Sequence, residues 1–328
     1  MTDLDRFTTT ALVAGELAAI ESFTERWLAN RRLSEATRTA YRHDVGLWTT
    51  WCAERDVDLL RATFLHVNER AREFEETPTR HGRPPAPSTV ARRISAVSIW
   101  YDFLAKLAAV PTNPAKIAER PVVDRDYSPT VGFTAAEATA MLGVAAAGDR
   151  WLGAAAPPMA AMLVDLGVRV SDLCTLDVEH LGHRDGHRVV HLLQMKGGKR
   201  RTRSMPPAVA KLVDAYLAHR AAQAGVPVDR LTGPLFVTLT RERIDRHEVY
   251  RFVKRLAKAA GMPNWHQIST HSFRHAWNTI ARDSGTDLED RQHALGHKDP
   301  RTTQRYDRDR DNLDRDPSFL VAAATSGS

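Results

Sequence analysis

A chain of 328 residues is long enough for two domains that each bury a hydrophobic core. Its hydrophobic content of 43% and charged content of 26% are ordinary for a soluble globular protein, and its formal charge of +6 favours a polyanionic partner. Two cysteines are too few for a disulfide framework or a thiolate zinc site.

The sequence indicates neither a signal peptide nor a membrane-spanning segment. The acidic start Met1–Asp5 lacks the basic and apolar regions of a signal peptide. The most apolar stretch, residues 154–166, contains Pro157, Pro158 and Asp165, which argues against a membrane span. We therefore expect a cytoplasmic protein that does not enter a membrane.

After a tail of residues 1–17, residues 18–110 have the periodicity of amphipathic helices. One helix is predicted to begin after Ser34. Its apolar side chains recur at the spacing of one helical face: Tyr41, Val45, Trp48 and Cys52.

A second long helix is predicted to begin near Ser88, after the proline-rich residues 84–87. One stripe of this helix is apolar: Val90, Ile94, Val97, Tyr101 and Leu104. The other side carries Arg92 and Arg93, which either form a solvated face or contact nucleic-acid phosphates.

Residues 111–131 contain four prolines and no apolar period, which predicts a linker. A second domain is predicted to open at Thr134 with a capping box. Helices dominate from there, except that residues 187–194 and 200–205 are predicted to pair as strands around a turn at Gly197–Gly198. Lys196 is then at or near the tip of this hairpin. The fold class expected is mainly α with a small β-sheet.

A spaced series of basic residues in the second domain ends at a tyrosine. Two arginines, a lysine, two histidines and a phenol are the groups that in-line attack on a phosphodiester requires. The series is Arg169, Lys196, His271, Arg274, His297 and Tyr306. Each residue alone has an ordinary structural interpretation, such as an ion pair between Arg169 and Asp172 or a solvated basic hairpin around Lys196.

In order and spacing, this series resembles the active-site residues of the tyrosine recombinases, the family of phage integrases and Xer-type recombinases. Residues 302–306, Thr-Thr-Gln-Arg-Tyr, are similar to the segment that holds the family's nucleophile. Departures are minor: Asp172 stands where glutamate is commoner and Phe273 where leucine is commoner, and neither removes a reacting group.

The resemblance implies a helical core-DNA-binding domain at residues 18–110 and a catalytic domain at residues 132–316. It implies that residues 317–328 form a C-terminal tail that can pass to a neighbouring protomer. The expected partners are double-stranded DNA with core recombination sites and three further copies of the chain, in a homotetramer. Neither a cofactor nor a metal is expected.

The resemblance also implies a role for each residue of the series. Tyr306 attacks the scissile phosphate and forms a 3′-phosphotyrosyl link, and Lys196 is the general acid for the 5′-oxygen. Arg169 and Arg274 hold the non-bridging oxygens. His271 assists the loss of the tyrosine proton, His297 donates a hydrogen bond to the phosphate, and Asp172 supports Arg169. Further DNA contacts are expected from a set of exposed basic residues: Arg92, Arg93, Lys199, Arg200 and Arg201.

Three alternatives remain open at this stage. A topoisomerase would use the same active site, and a non-catalytic DNA-binding module would use only the basic surface. The third is a metal site, because two pairs of histidines are each four residues apart: His271 with His275, and His293 with His297.

Overall fold

The computed structural model describes residues 20–79, 82–123, 130–150, 152–193 and 200–297, together with five isolated residues: Thr303, Ser318, Val321, Ala322 and Thr325. The chain divides into two compact units, Met1–Asp124 and Arg125–Ser328. The division falls inside the predicted linker, residues 111–131.

The first unit is helical. Its helices are α1 (residues 20–29), α2 (Glu35–Glu54), α3 (Phe64–Glu76) and α4 (Pro87–Lys106), followed by a 3₁₀ turn at Pro114–Lys116. The Ser34 hydroxyl accepts a hydrogen bond from the Thr37 amide and so caps α2, as the sequence predicts. Pro87 stands in the first turn of α4, where its missing amide proton costs no helical hydrogen bond.

Aromatic side chains fill the core of the first unit, and the polar atoms of Trp48, Trp100 and Tyr101 are hydrogen-bonded. Trp48 Nε1 lies 3.1 Å from Tyr101 Oη, which in turn donates to the Leu59 carbonyl at 2.8 Å. Trp100 Nε1 donates to Thr24 Oγ1 at 3.1 Å. Burial of these large rings therefore leaves no lost hydrogen bond at these groups.

Arg92 and Arg93 of α4 are engaged inside the first unit by Asp44 of α2, whose side chain is fully buried. Arg92 forms a forked pair with both carboxylate oxygens, one bond being 3.1 Å. The Arg93 Nε atom lies 3.8 Å from Asp44, and its guanidinium lies 3.7 Å from the centroid of the Phe74 ring. Both arginines thus compensate a buried charge, in addition to any contact with DNA.

The second unit combines helices with one described sheet. The helices are α5 (Ala135–Ala146), α6 (Ala156–Asp165), α7 (Val170–Thr175), α8 (Pro207–Ala224), α9 (Arg246–Ala259), α10 (Thr270–Asp283) and α11 (Leu288–Leu295). The predicted capping box of Thr134 and Glu137 opens α5. The expected fold class, mainly α with a small β-sheet, is confirmed.

Strands β1 (Leu181–Arg184), β2 (His187–Leu193) and β3 (Arg200–Ser204) form an antiparallel sheet in that order. Leu193 pairs with Arg200, so residues 194–199 connect β2 to β3. The predicted pairing of these two strands is confirmed. The predicted position of Lys196 near the hairpin tip lies outside the described residues.

Helix α6 forms the centre of the second core and packs against α5, α8 and α10. Its Met159, Met162 and Leu163 side chains are fully buried. The apolar stretch at residues 154–166 is therefore a buried helix. Among the described residues, no helix combines the length and the apolar composition that crossing a bilayer requires.

Cys52 of α2 and Cys174 of α7 are both buried as free thiols. Burial raises the pKa of Cys52 to about 12 and that of Cys174 to about 11. Both thiols are therefore protonated at neutral pH.

Candidate active site

A tight turn between α6 and α7 places Arg169. Gly167 in this turn has a φ of +56°, which a side chain disfavours. A Cβ atom built on Gly167 would lie 2.8 Å from Cγ of Trp277 on α10. Trp277 also donates from Nε1 to the Asp165 carbonyl at 2.8 Å. The turn is therefore packed directly on α10, and Arg169 follows it as the first residue before α7.

Arg274 of α10 is buried, with 2% of its surface exposed. Its Nη1 atom donates to the Gly167 carbonyl at 2.9 Å, and Nη2 donates to the Leu295 carbonyl at the end of α11. The same Nη2 lies 2.9 Å from His297 Nε2. One guanidinium thus joins the turn before Arg169 to the last residue of α11 and to His297.

Arg169 reaches the same place from the other side. Its Nη2 atom donates to the Gly296 carbonyl at 3.1 Å, and Nη1 lies 3.8 Å from Asp172 Oδ2. The side chain is 36% exposed, so its guanidinium remains accessible to a ligand. Arg169 and Arg274 therefore converge at the end of α11, although one precedes α7 and the other lies in α10.

The end of α11 also fixes His297. Gly296 ends the helix with a φ of +62°, and the His297 amide donates to the Gln292 carbonyl at 3.1 Å. His297 Nδ1 lies 2.9 Å from Thr303 Oγ1. Because a guanidinium can only donate, Nε2 of His297 must accept from Arg274, and the ring proton is assigned to Nδ1.

The pKa values of both candidate histidines are lowered. Burial lowers the pKa of His297 to about 3, and the charges of Arg274, Arg169 and Arg201 add to this effect. His271 is an exposed residue, but partial burial of its ring lowers its pKa, and the charges of Arg274 and Arg169 lower it further. Both imidazoles are therefore neutral at pH 7. In this state the His297 ring accepts at Nε2 from Arg274, and the role of His297 as a donor to phosphate stays a prediction.

Asp172 of α7 lies between two arginines. Its Oδ2 atom is 3.8 Å from Arg169 Nη1 and also 3.8 Å from Arg201 Nη2. Only 8% of its side chain is exposed, and burial raises its pKa, while Arg169, Arg201 and Arg274 oppose the rise. The geometry agrees with a carboxylate that supports Arg169.

Arg201 was expected on the surface as a DNA contact, and the structure places it elsewhere. The residue is 6% exposed and faces Asp172. Its cross-strand neighbour in β2 is the buried Leu192, and Arg203 pairs with the buried Val190. Because paired residues share a face of the sheet, this register is the signal that would have predicted an inward side chain.

A buried polar network next to His297 was not found from the sequence. Thr303 and Asn278 are both fully buried, and Asn278 Nδ2 donates to the Thr303 carbonyl at 3.3 Å. Arg291 of α11 donates to Asn278 Oδ1 at 3.2 Å. The network holds the residue that bonds to His297 Nδ1.

The structure does not describe every predicted site residue. Lys196, Lys199 and Tyr306 lie outside the described residues, and only the backbone of Arg200 is described.

Within the described ranges, no three histidine, cysteine, aspartate or glutamate side chains converge as metal ligands. His271, His275, His293 and His297 therefore form no such cluster.

The sequence models of two families match this chain. The sequence model of the Phage integrase family matches residues 134–312, and that of the Phage integrase N-terminal SAM-like domain matches residues 20–107. The fold agrees with both matches, and the convergence of Arg169 and Arg274 agrees with the match over residues 134–312. The chain belongs to the phage integrase family, the tyrosine-type site-specific recombinases, and the resemblance inferred from the sequence is confirmed.

Individual relatives agree with this assignment. The chain is 30% identical to tyrosine recombinase XerC of Corynebacterium efficiens over 88% of its own length and 86% of the relative. A fragment of the Tn1549 transposon integrase, solved with circular intermediate DNA, shares the fold with a TM-score of 0.66 and 18% identity, over 88% of this chain and 94% of that one. The lambda integrase tetramer bound to a Holliday junction has a TM-score of 0.59 and 18% identity, over 85% and 77%.

Proposed function

We propose that this protein recombines DNA at specific sites by cutting and rejoining strands through a 3′-phosphotyrosyl intermediate. The observation that carries the proposal is the convergence of Arg169 and Arg274 beside His297 at the end of α11. Two guanidinium groups that keep their charge at every physiological pH form a site for one phosphate. The partly exposed fork of Arg169 faces the ligand, and the buried fork of Arg274 fixes the site's shape.

The reaction uses these groups as follows. The Tyr306 oxygen attacks phosphorus while the bond from phosphorus to the 5′-oxygen breaks, and the 5′-oxygen takes a proton from Lys196. His271, neutral at pH 7 because its pKa is lowered, accepts the tyrosine proton. Arg169 and Arg274 stabilise the charge on the pentavalent phosphorus.

A bound phosphate changes the state of His297. The anion attracts the guanidinium of Arg274 and raises the pKa of the imidazole, which is held near 3 by burial and by the arginines. A protonated or reoriented His297 then donates to the phosphate. The hydrogen bond from Arg274 to His297 is thus the state before substrate binding.

The link through tyrosine keeps the energy of the broken phosphoester bond, so a 5′-hydroxyl can reverse the step without ATP. Reversal by a hydroxyl of a partner duplex gives recombination. The proposed assembly is a homotetramer on two DNA duplexes with core sites, as in the tetrameric lambda integrase on a Holliday junction. Integration or excision of a mobile element and resolution of DNA dimers both use this chemistry.

The proposed domains are a core-DNA-binding domain at residues 18–110 and a catalytic domain at residues 132–316, with a tail at residues 317–328 that passes to a neighbouring protomer. The division of the chain at Asp124 supports this arrangement. The sequence of the tail contains Phe319, Leu320 and Val321, whose burial against a partner would be favourable. Lys199 and Arg200, on the hairpin, are still proposed to contact the DNA backbone.

A nicked suicide substrate tests the proposal. The wild-type protein is expected to accumulate a covalent complex that denaturing electrophoresis resolves, and Tyr306→Phe is expected to form none. The variant removes one oxygen and no charge, so its DNA affinity in a gel-shift assay should match that of the wild type. A covalent complex formed by Tyr306→Phe would show that another residue is the nucleophile.

A further inference from the structure

Arg201 is a buried cation whose only charged neighbour of opposite sign at ion-pair distance, among the described residues, is Asp172. The side chain is 6% exposed, and its Nε and Nη1 atoms find no acceptor among the described residues. A buried guanidinium with unbonded nitrogens costs free energy. The contact with Asp172 is therefore the interaction that accounts for its position.

Asp172 is shared between two arginines with different surroundings. Arg169 and Arg201 approach the same oxygen, Oδ2, each at 3.8 Å. Arg169 is 36% exposed and faces the phosphate site, whereas Arg201 is enclosed. Arg201 is thus too enclosed to contact the phosphate itself, but it acts on the carboxylate that orients Arg169.

The strand that carries Arg201 has a fixed place in the second unit. Arg203, two residues along β3, donates to the Ala294 carbonyl on α11, and its guanidinium lies 5.1 Å from the centroid of the Trp277 ring. Strand β3 also forms one side of the hairpin whose connection contains Lys196. A contact between β3 and Asp172 therefore joins this hairpin to Arg169.

We infer that Arg201 is a positioning residue, which through Asp172 holds Arg169 in register with strand β3. This inference rests on the proposed function. It makes the placing of the phosphate-binding arginine depend on a carboxylate that it shares with Arg201. Misplacing this arginine by about 1 Å costs about a hundredfold in rate.

The first test compares variants of Arg201 in single-turnover cleavage of the suicide substrate. Arg201→Met is expected to cleave about tenfold to a hundredfold more slowly with unchanged DNA affinity, because the phosphate site is misaligned and no surface charge is lost. The matched control is Arg188→Met: Arg188 lies in the same sheet and pairs with Asp214 at 2.9 Å. We expect wild-type cleavage from this control.

The second test is the acidic limb of the pH–rate profile, where protonation of His271 and of Asp172 both lower the rate, and the part due to Asp172 is the part that Asp172→Asn removes. Among the described residues, the charges that face this carboxylate are Arg169 just before α7, Arg201 from β3 and Arg274 from α10, and the Ser171 hydroxyl lies 3.5 Å away. Removing the positive charge of Arg201 raises the pKa of Asp172, so the limb moves to higher pH. Arg201→Gln, a second neutral variant, should shift the limb as Arg201→Met does, and Arg201→Lys should not. If Arg201 served only in packing, the cleavage rate would depend on the volume of residue 201, and the acidic limb would not move.

The third test is a double-mutant cycle with Asp172→Asn. If Arg201 acts through Asp172, Arg201→Met should add almost nothing to the loss caused by Asp172→Asn. Thermal melting of each variant checks that it is folded, and Arg201→Gln replaces Arg201→Met in the cycle if the latter does not fold.

Two results would overturn the inference while leaving the proposed function intact. One is a wild-type cleavage rate and a wild-type acidic limb in both Arg201→Met and Arg201→Gln. The other is full additivity of the rate losses in the double-mutant cycle. Absence of a covalent complex from the wild type and from Arg188→Met would instead overturn the proposed function, and the role of Arg201 with it.

Discussion

Nη2 of Arg274 lies 2.9 Å from Nε2 of His297, so one residue of the candidate site holds the other in its accepting tautomer. The same guanidinium donates to carbonyls of Gly167 and Leu295. Arg274 therefore fixes three segments of the second unit, and in the proposed function it also supplies charge to the phosphate.

Arg274→Lys separates these functions because it keeps the charge and loses the fork. We expect the single-turnover cleavage rate to fall about 10²–10³-fold, since an ammonium cannot hold the same carbonyls and a phosphate together. The matched control is Arg255→Lys, because Arg255 also forms a forked pair, at 3.0 and 2.9 Å, with Asp149. Equal cleavage by the two lysine variants would contradict the role of Arg274.

The lowered pKa of His297 predicts a pH dependence of stability. The unfolded chain binds a proton at the ordinary value of 6.5, whereas the folded chain binds it only near pH 3. The unfolded state therefore gains protons first as the pH falls, and the folded state loses stability from about pH 6.5 downward. His297→Gln should lose less stability than the wild type between pH 7 and pH 5, as measured by urea unfolding. Parallel curves for the two proteins would show that the histidine is not held neutral.

Gly167 and Gly186 provide a matched pair of glycines. Both have positive φ, +56° and +78°, but only at Gly167 does a Cβ meet another residue, the Trp277 ring at 2.8 Å. Gly186→Ala should cost about 1–2 kcal/mol of unfolding free energy from backbone strain. Gly167→Ala should cost about 1–3 kcal/mol more from overpacking.

Cleavage by Gly167→Ala provides a second readout. The turn at Gly167 places Arg169 and accepts the hydrogen bond from Arg274, so this variant should also cleave slowly at temperatures where it remains folded. Gly186→Ala should cleave as the wild type does. If Gly167→Ala is folded and fully active, the turn does not determine the geometry of the site.

Activity should persist in EDTA, because the proposed reaction holds the phosphate charge with guanidinium groups. The measurement is covalent complex formation with and without the chelator. Loss of cleavage on chelation that zinc restores would instead support a metal site built from the paired histidines.

The helices and the small sheet were predictable because their signals are local. Ser34 and Thr134 cap helices, and β2 and β3 pair on either side of a connection that contains Gly197 and Gly198. The set of candidate residues came from order and spacing in the sequence. The partners of those residues were not predictable in this way, because they depend on contacts between distant segments.

Three interactions illustrate this limit. Asp44 lies in α2, yet it is buried against arginines of α4. Arg201 belongs to a basic hairpin that the sequence alone describes as exposed, and the pairing register turns it inward. Asn278 and Arg291 meet below Thr303 only after α10 and α11 pack together. Periodicity identifies the buried face of a helix, but it does not identify which charges will meet there.

The burial of Cys52 and Cys174 makes the protein a convenient scaffold for site-directed labelling. Their raised pKa values keep both thiols protonated, and maleimide reagents react with the thiolate. A cysteine introduced at exposed Leu65 or Leu239 should therefore be modified selectively in the native protein, without prior removal of the two natural thiols. Fluorescent pairs attached in this way would report the proposed assembly of protomers on DNA in real time, in a protein that keeps both natural cysteines.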